Sequence, residues 1–118
     1  MLMEVQDKGL SPDTLATATA YVTLEPCHRG PGKSTPPCDE AIVASGIRAV
    51  HVAVVDPDPA FGGVGVAYMR ENGLQVTVGT GAGAVERSLA PYLHQRRRKR
   101  PYVVLKVRFF LSLDPFLP

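Results

Sequence analysis

Runs of apolar residues and runs at helical spacing alternate along the chain. Residues 18–24, ATAYVTL, form a short β-rich run that ends at a cysteine-containing loop. Residues 38–46, CDEAIVASG, place Ala41, Ile42 and Ser45 at helical spacing, with acidic residues in the first turn and Gly46 as a stop. Residues 48–56, RAVHVAVVD, are almost wholly apolar, as a strand covered on both faces should be. The DPDP that follows cannot extend it, because each proline removes a ladder donor. Residues 64–72 predict a helix stopped by Gly73, and residues 74–79 a third strand. Residues 82–100 predict a helix bent or re-started at Pro91, and residues 101–107, PYVVLKV, a last strand. Strands separated by helices of about ten residues imply a mostly parallel sheet with right-handed crossovers, an α/β fold.

The 118 residues amount to one domain at most. An apolar fraction of 45% and a charged fraction of 20% are those of a globular rather than a disordered chain. The net charge of +2 conceals one concentration: five of thirteen basic residues lie in Arg96–Arg100, RRRKR. No apolar run reaches the roughly 18–20 residues of a membrane span. The opening MLMEVQDKGL has neither the basic-then-apolar order of a signal peptide nor the Arg/Ser richness of a transit sequence. With two cysteines only, a secreted disulfide scaffold is disfavoured, and an intracellular, cytoplasmic and reducing setting is the default expectation.

Those two cysteines carry the candidate chemistry. Pro26-Cys27 and Pro37-Cys38 bracket a loop of Gly, Lys, Arg and Ser, with Cys27 after a strand and Cys38 opening a helix. The prolines hold the chain extended at each approach. A helix N-terminus favours thiolate at Cys38, and thiolate is the form that binds zinc. Two unrelated small core residues or a redox pair are the alternatives. Spacing alone leaves these open, because ten intervening residues is not the two-residue gap of most zinc knuckles.

The blocks ATAYVTLEPC, TPPC, SGI, VVDPDP, NGLQVTVG and RPYVVLKV, in order from Ala18 to Val107, closely resemble the deaminase half of the bifunctional riboflavin-biosynthesis deaminase–reductase family. The resemblance implies a cytidine-deaminase-like three-layer sandwich. It also implies zinc-assisted hydrolytic deamination of a phosphoribosylated diaminopyrimidine, a pyrimidine ribotide. In that superfamily a His-x-Glu motif on a helix supplies one zinc ligand and a proton-shuttling Glu, and two cysteines complete the shell. Cys27 and Cys38 match those cysteines. By the same resemblance Arg29 and Lys33 lie beside the active site, where they could reach a substrate phosphate. Asp56 and Asp58 stand at the end of a parallel strand, where open α/β sheets place ligand groups, although turn chemistry alone accounts for both.

This sequence departs from the family in several places. No His-x-Glu precedes Ala18, so a chain lacking the first family strands and the zinc-binding helix start is expected, with an incomplete zinc site and no catalytic carboxylate. Met1–Leu10 resembles the remainder of that helix. The cysteine loop is longer than the family's usual one. Asp58 stands where the family has Asn. Residues 1–107 are expected to be a partial deaminase domain. Residues 108–118 are a divergent tail where a reductase would begin, so no NADPH is expected.

His28, His51 and His94 are each expected to be ordinary surface or packing histidines rather than a replacement ligand. Glu25 is expected to hydrogen-bond loop amides, not to shuttle protons. RRRKR reads as a solvated helix end, its cations favourable at the C-terminus. A basic nucleic-acid-binding module is the rival reading. A non-catalytic subunit that keeps only the fold is another, and exposed sheet edge makes self-association an expectation.

Overall fold

The computed structural model describes residues 11–30 and 36–109. Its elements, in order, are α1 (Pro12–Thr17), β1 (Thr19–Leu24), α2 (Cys38–Ala44), β2 (Ala49–Val54), α3 (Val64–Glu71), β3 (Gln75–Val78), α4 (Ala82–Ser88) and α5 (Ala90–Arg98). The three strands form one sheet in the order β1-β2-β3, parallel throughout. Central β2 pairs Val50 with Ala20 of β1 and with Val76 of β3. Its near-continuous apolar character follows from that place, since both edges and both faces are covered.

Strand alternation distributes β2 between two cores. Val50 and Val52, almost wholly buried, pack with Ile42 of α2 and with Val66 and Met69 of α3. Ala53 points to the opposite face and joins Val54 and Leu93 of α5, with Val85 and Leu89 beside them. Helices therefore cover the sheet on both sides, as a three-layer sandwich requires.

Most predicted elements are present, and the helix predicted over 82–100 is indeed broken. α4 stops at Ser88, and α5 restarts with Pro91 in its first turn, where proline's missing N–H costs nothing. Two expectations need correction. First, α1 was not predicted. Its start is legible in retrospect: Ser11 caps the Thr14 amide and Pro12 opens the helix. Second, residues 101–107 are not a strand. Val103 is 81% and Val104 75% exposed, so neither alternating face is covered. Strand propensity expresses a fit to a half-buried pleated surface, and among the described residues no surface receives the run. The sequence resemblance at Met1–Leu10 falls outside the described residues. No helix among the described residues is long and apolar enough to cross a membrane.

Candidate functional site

The site is built on the segment Glu25–His28, where β1 ends. Glu25 N donates to Val54 O at 2.9 Å, continuing the ladder one residue beyond the strand. The buried Glu25 carboxylate accepts three amides: Asp56 N at 3.0 Å and Gly63 N at 2.8 Å on Oε2, and Val66 N at 3.0 Å on Oε1. One side chain thus fastens the loop after β2 and the N-terminus of α3 to the end of β1. The expected structural role of Glu25 holds. Gly65 makes the close approach possible, because a Cβ there would collide with Pro26 O.

Pro37 is extended (φ −63°, ψ 141°) and hands the chain to α2, whose first residue is Cys38. Asp39 N donates to Cys27 O at 3.3 Å, closing the base of the loop. Cys27 and Cys38 lie close enough for the Cys27 thiol to act on that of Cys38. The expectation of a thiolate-favouring Cys38 is not met. Partial burial raises its pKa first, the Cys27 thiol adds to this, and the Asp39 carboxylate acts in the same direction.

Two sulfur donors are the chemistry that zinc favours. Among the described residues, however, no group of three or more His, Cys, Asp or Glu side chains is placed to hold a metal ion.

His28 is more than the ordinary surface or packing residue expected. Its Nδ1 forms a 2.6 Å hydrogen bond with Oδ2 of Asp39, whose side chain is fully buried, and its ring tilts against Tyr68. Asp39 Oδ1 in turn accepts Glu40 N at 2.8 Å. His51 stacks on Tyr21 and His94 meets Tyr102 edge-on, as packing histidines do. Arg29 pairs in a fork with Glu40, through Nε at 2.9 Å and Nη2 at 2.8 Å. This pairing raises the Arg29 pKa and lowers that of Glu40. Lys33 lies outside the described residues.

A cavity of about 280 Å³ opens beside Cys27 and His28. Asp56, Asp58 and Phe61 line it from the loop after β2, and Tyr92 and Arg96 from α5. Each aspartate also makes the turn contact foreseen for it: Asp56 Oδ1 accepts Asp58 N at 2.9 Å, and Asp58 Oδ1 accepts Ala60 N at 3.1 Å. Their second oxygens face α5. Tyr92 Oη donates to Asp56 Oδ2 at 3.1 Å and Arg96 Nη1 to Asp58 Oδ2 at 3.3 Å. Burial raises the Tyr92 pKa, and hydrogen bonding to Tyr92 raises that of Arg96.

The first member of RRRKR, Arg96, is partly exposed and also pairs with Asp58. Tyr92 and Arg96 are four residues apart on one face of α5, a spacing that could have separated Arg96 from its neighbours. Arg97 instead pairs with Glu86 on the exposed side.

No protein-family model matches the chain. Curated proteins do. It is 46% identical over 102 residues to the riboflavin biosynthesis protein RibD of Chlamydia muridarum, covering 86% of this chain and 26% of that protein. It is 42% identical over 76 residues to the diaminohydroxyphosphoribosylamino-pyrimidine deaminase of Buchnera aphidicola, covering 64% of this chain and 50% of that one. Among solved structures, Acinetobacter baumannii RibD superposes with a TM-score of 0.70 at 35% identity, over 78% of this chain and 25% of that one. The deaminase/reductase of Thermotoga maritima gives 0.71 at 33% identity, over 86% and 27%. The chain thus spans a quarter to a half of these relatives. In sequence and in fold together, the chain is thus similar to RibD proteins, and it matches part of their deaminase region.

Proposed function

We propose that the cavity beside Cys27 is the pyrimidine-ribotide pocket of a riboflavin-pathway deaminase, and that Cys27 and Cys38 are two ligands of a zinc ion. The observation that carries this reading is that Cys27, close enough to Cys38 to act on its thiol across ten intervening residues, lines a cavity shared with Asp56, Asp58 and Arg96. When bound, zinc supplies Lewis-acid activation of the hydrolytic water. The residues of this chain bind and position the ligand. Asp56 and Asp58 accept hydrogen bonds from the ligand, Phe61 covers a ring face, and the Glu25 amide clamp holds the rim in place. Arg29 and Lys33 remain proposed contacts to the phosphate, Arg29 by exchanging Glu40 for it.

The 118 residues contain no His-x-Glu sequence. We infer that they do not turn substrate over by themselves. The decisive assay is ammonia release from a phosphoribosylated diaminopyrimidine by the purified chain, with zinc supplied and retention measured by elemental analysis. Background release is expected, with zinc held loosely and lost in Cys27→Ser. Release above background that disappears in Cys27→Ser would overturn the inactivity.

The exposed run Tyr102–Val107 favours a second reading, a chain that keeps the deaminase fold and acts by associating with another copy. Its test is among the predictions below. Nucleic acid is not a proposed partner. Arg96 and Arg97 are occupied in ion pairs, and salt-sensitive binding to a mixed-sequence duplex would refute this.

A further inference from the structure

The contacts between α5 and the loop after β2 have a consequence for ligand recognition, resting on the reading of the cavity as a ribotide pocket. Asp56 and Asp58 are each held at two points. The loop backbone fixes one oxygen of each carboxylate, at 2.9 and 3.1 Å. A side chain of α5 fixes the other, at 3.1 and 3.3 Å. A carboxylate gripped at both oxygens cannot turn, yet each oxygen keeps a further lone pair for a ligand. The Arg96 guanidinium also lies 5.4 Å from the centroid of the Tyr92 ring, so Tyr92 steadies the group that steadies Asp58.

The charges on this wall are two carboxylates against one guanidinium. Such a surface repels a phosphate and accepts neutral hydrogen-bond donors, hydroxyl or amino groups. Arg96 decides how acidic the wall is, and it shares the cavity with Asp58, the partner it restrains. We propose that Arg96 is a positioning residue of this pocket. It orients Asp58 and offsets one of the two carboxylate charges, so that the wall receives the hydroxyl- or amine-bearing part of the ligand and not its phosphate.

Calorimetric titration of the full 118-residue chain with cytidine 5′-monophosphate, and separately with cytidine, tests the inference. The proteins compared are the unaltered chain, Arg96→Met, Asp58→Asn and the double variant, with a thermal melt of each. Arg96→Met is expected to weaken binding of both probes about tenfold, the order of one lost charge-assisted hydrogen bond. The double variant, which removes both charges together, is expected to bind within roughly threefold of Asp58→Asn alone, so that the losses are not additive. Should Arg96→Met not fold, Arg96→Lys is read instead, with an intermediate loss expected.

A lower melting temperature with unchanged dissociation constants would make Arg96 a structural residue only and overturn the inference. A loss confined to the monophosphate would place the phosphate on Arg96 and overturn it too. If the unaltered chain binds neither probe, the ribotide reading itself falls, and this inference with it.

Discussion

Glu25 and Val66 are 41 residues apart in sequence and meet at 3.0 Å, carboxylate oxygen to amide, where the end of β1 touches the start of α3. The same carboxylate takes the amides of Asp56 and Gly63. Asp56, Asp58 and Phe61, all proposed to contact the ligand, lie on the 56–63 segment that this side chain grips at both ends.

Glu25→Ala should therefore be among the most damaging single substitutions. It leaves three amides without their acceptor in a largely water-free place, at about 1–3 kcal/mol for each group left unsatisfied. Urea unfolding should show a fall in stability of several kcal/mol or no cooperative transition. Glu25→Gln, which keeps one acceptor oxygen, should retain part of it. A midpoint unchanged in Glu25→Ala would mean the clamp is incidental.

Gly65→Ala should also be costly, for a different reason. The added methyl meets the Pro26 carbonyl oxygen, which belongs to backbone and cannot step aside as a flexible side chain would. The start of α3 must then move away from the cysteine segment. We expect a loss of about 1–3 kcal/mol, as for other overpacked sites, and altered amide shifts at Cys27 and His28 in NMR spectra. Spectra unchanged at those residues would count against the close approach.

The thiol pair gives a pH dependence whose sign is fixed. Burial and the neighbouring Cys27 raise the Cys38 pKa in the folded chain. The folded state then holds its thiol proton to higher pH than the unfolded state does. Stability from this source is complete below the unfolded thiol pKa, near 8.5, and is lost as pH rises through the higher folded value. Metal-free chain should accordingly lose stability in alkali, and Cys38 should alkylate more slowly than a free thiol at pH 8. Cys27→Ser, which removes one of the causes, should speed that alkylation. Alkylation at the free-thiol rate in the unaltered chain would contradict this.

Met69, with no exposed surface, lies where α3 crosses the face of β2 formed by Val50 and Val52. Met69→Ala should cost about 2–5 kcal/mol through lost burial and the cavity left behind. Chemical denaturation measures it directly, and a loss below 1 kcal/mol would show that the core closes over the gap.

The run Tyr102–Val107 should make the chain associate. Val103 and Leu105 are 81% and 85% exposed, on a segment with strong β propensity. Sedimentation velocity should show mass rising with protein concentration, and Val103→Lys with Leu105→Lys should return it to monomer. A concentration-independent monomer in the unaltered chain would remove the self-associating reading.

Local pattern determined a good deal of this protein. The strand ends of β1 and β3, the apolar character of central β2, the restart at Pro91 and the residues of the cysteine loop were all legible in sequence. Each depends on periodicity, on proline's missing donor or on neighbours within a turn. The motif blocks pointed to the family, and Glu25 was separable from a catalytic carboxylate by its place in LEPC.

Other features depend on groups distant in sequence, and only the tertiary structure decided them. Val103 and Leu105 alternate like strand residues, yet among the described residues no pleated surface covers them. Arg96 looks like its basic neighbours in the run, but α5 turns it towards Asp58, 38 residues away, while Arg97 faces outward to Glu86. His28 gained a buried carboxylate partner once β1 and α2 came together across the loop. The Cys38 pKa followed its surroundings rather than its helix position, because desolvation and an adjacent thiol are set by packing. Sequence encodes which segments can form; long-range packing determines which charges face one another across the cavity.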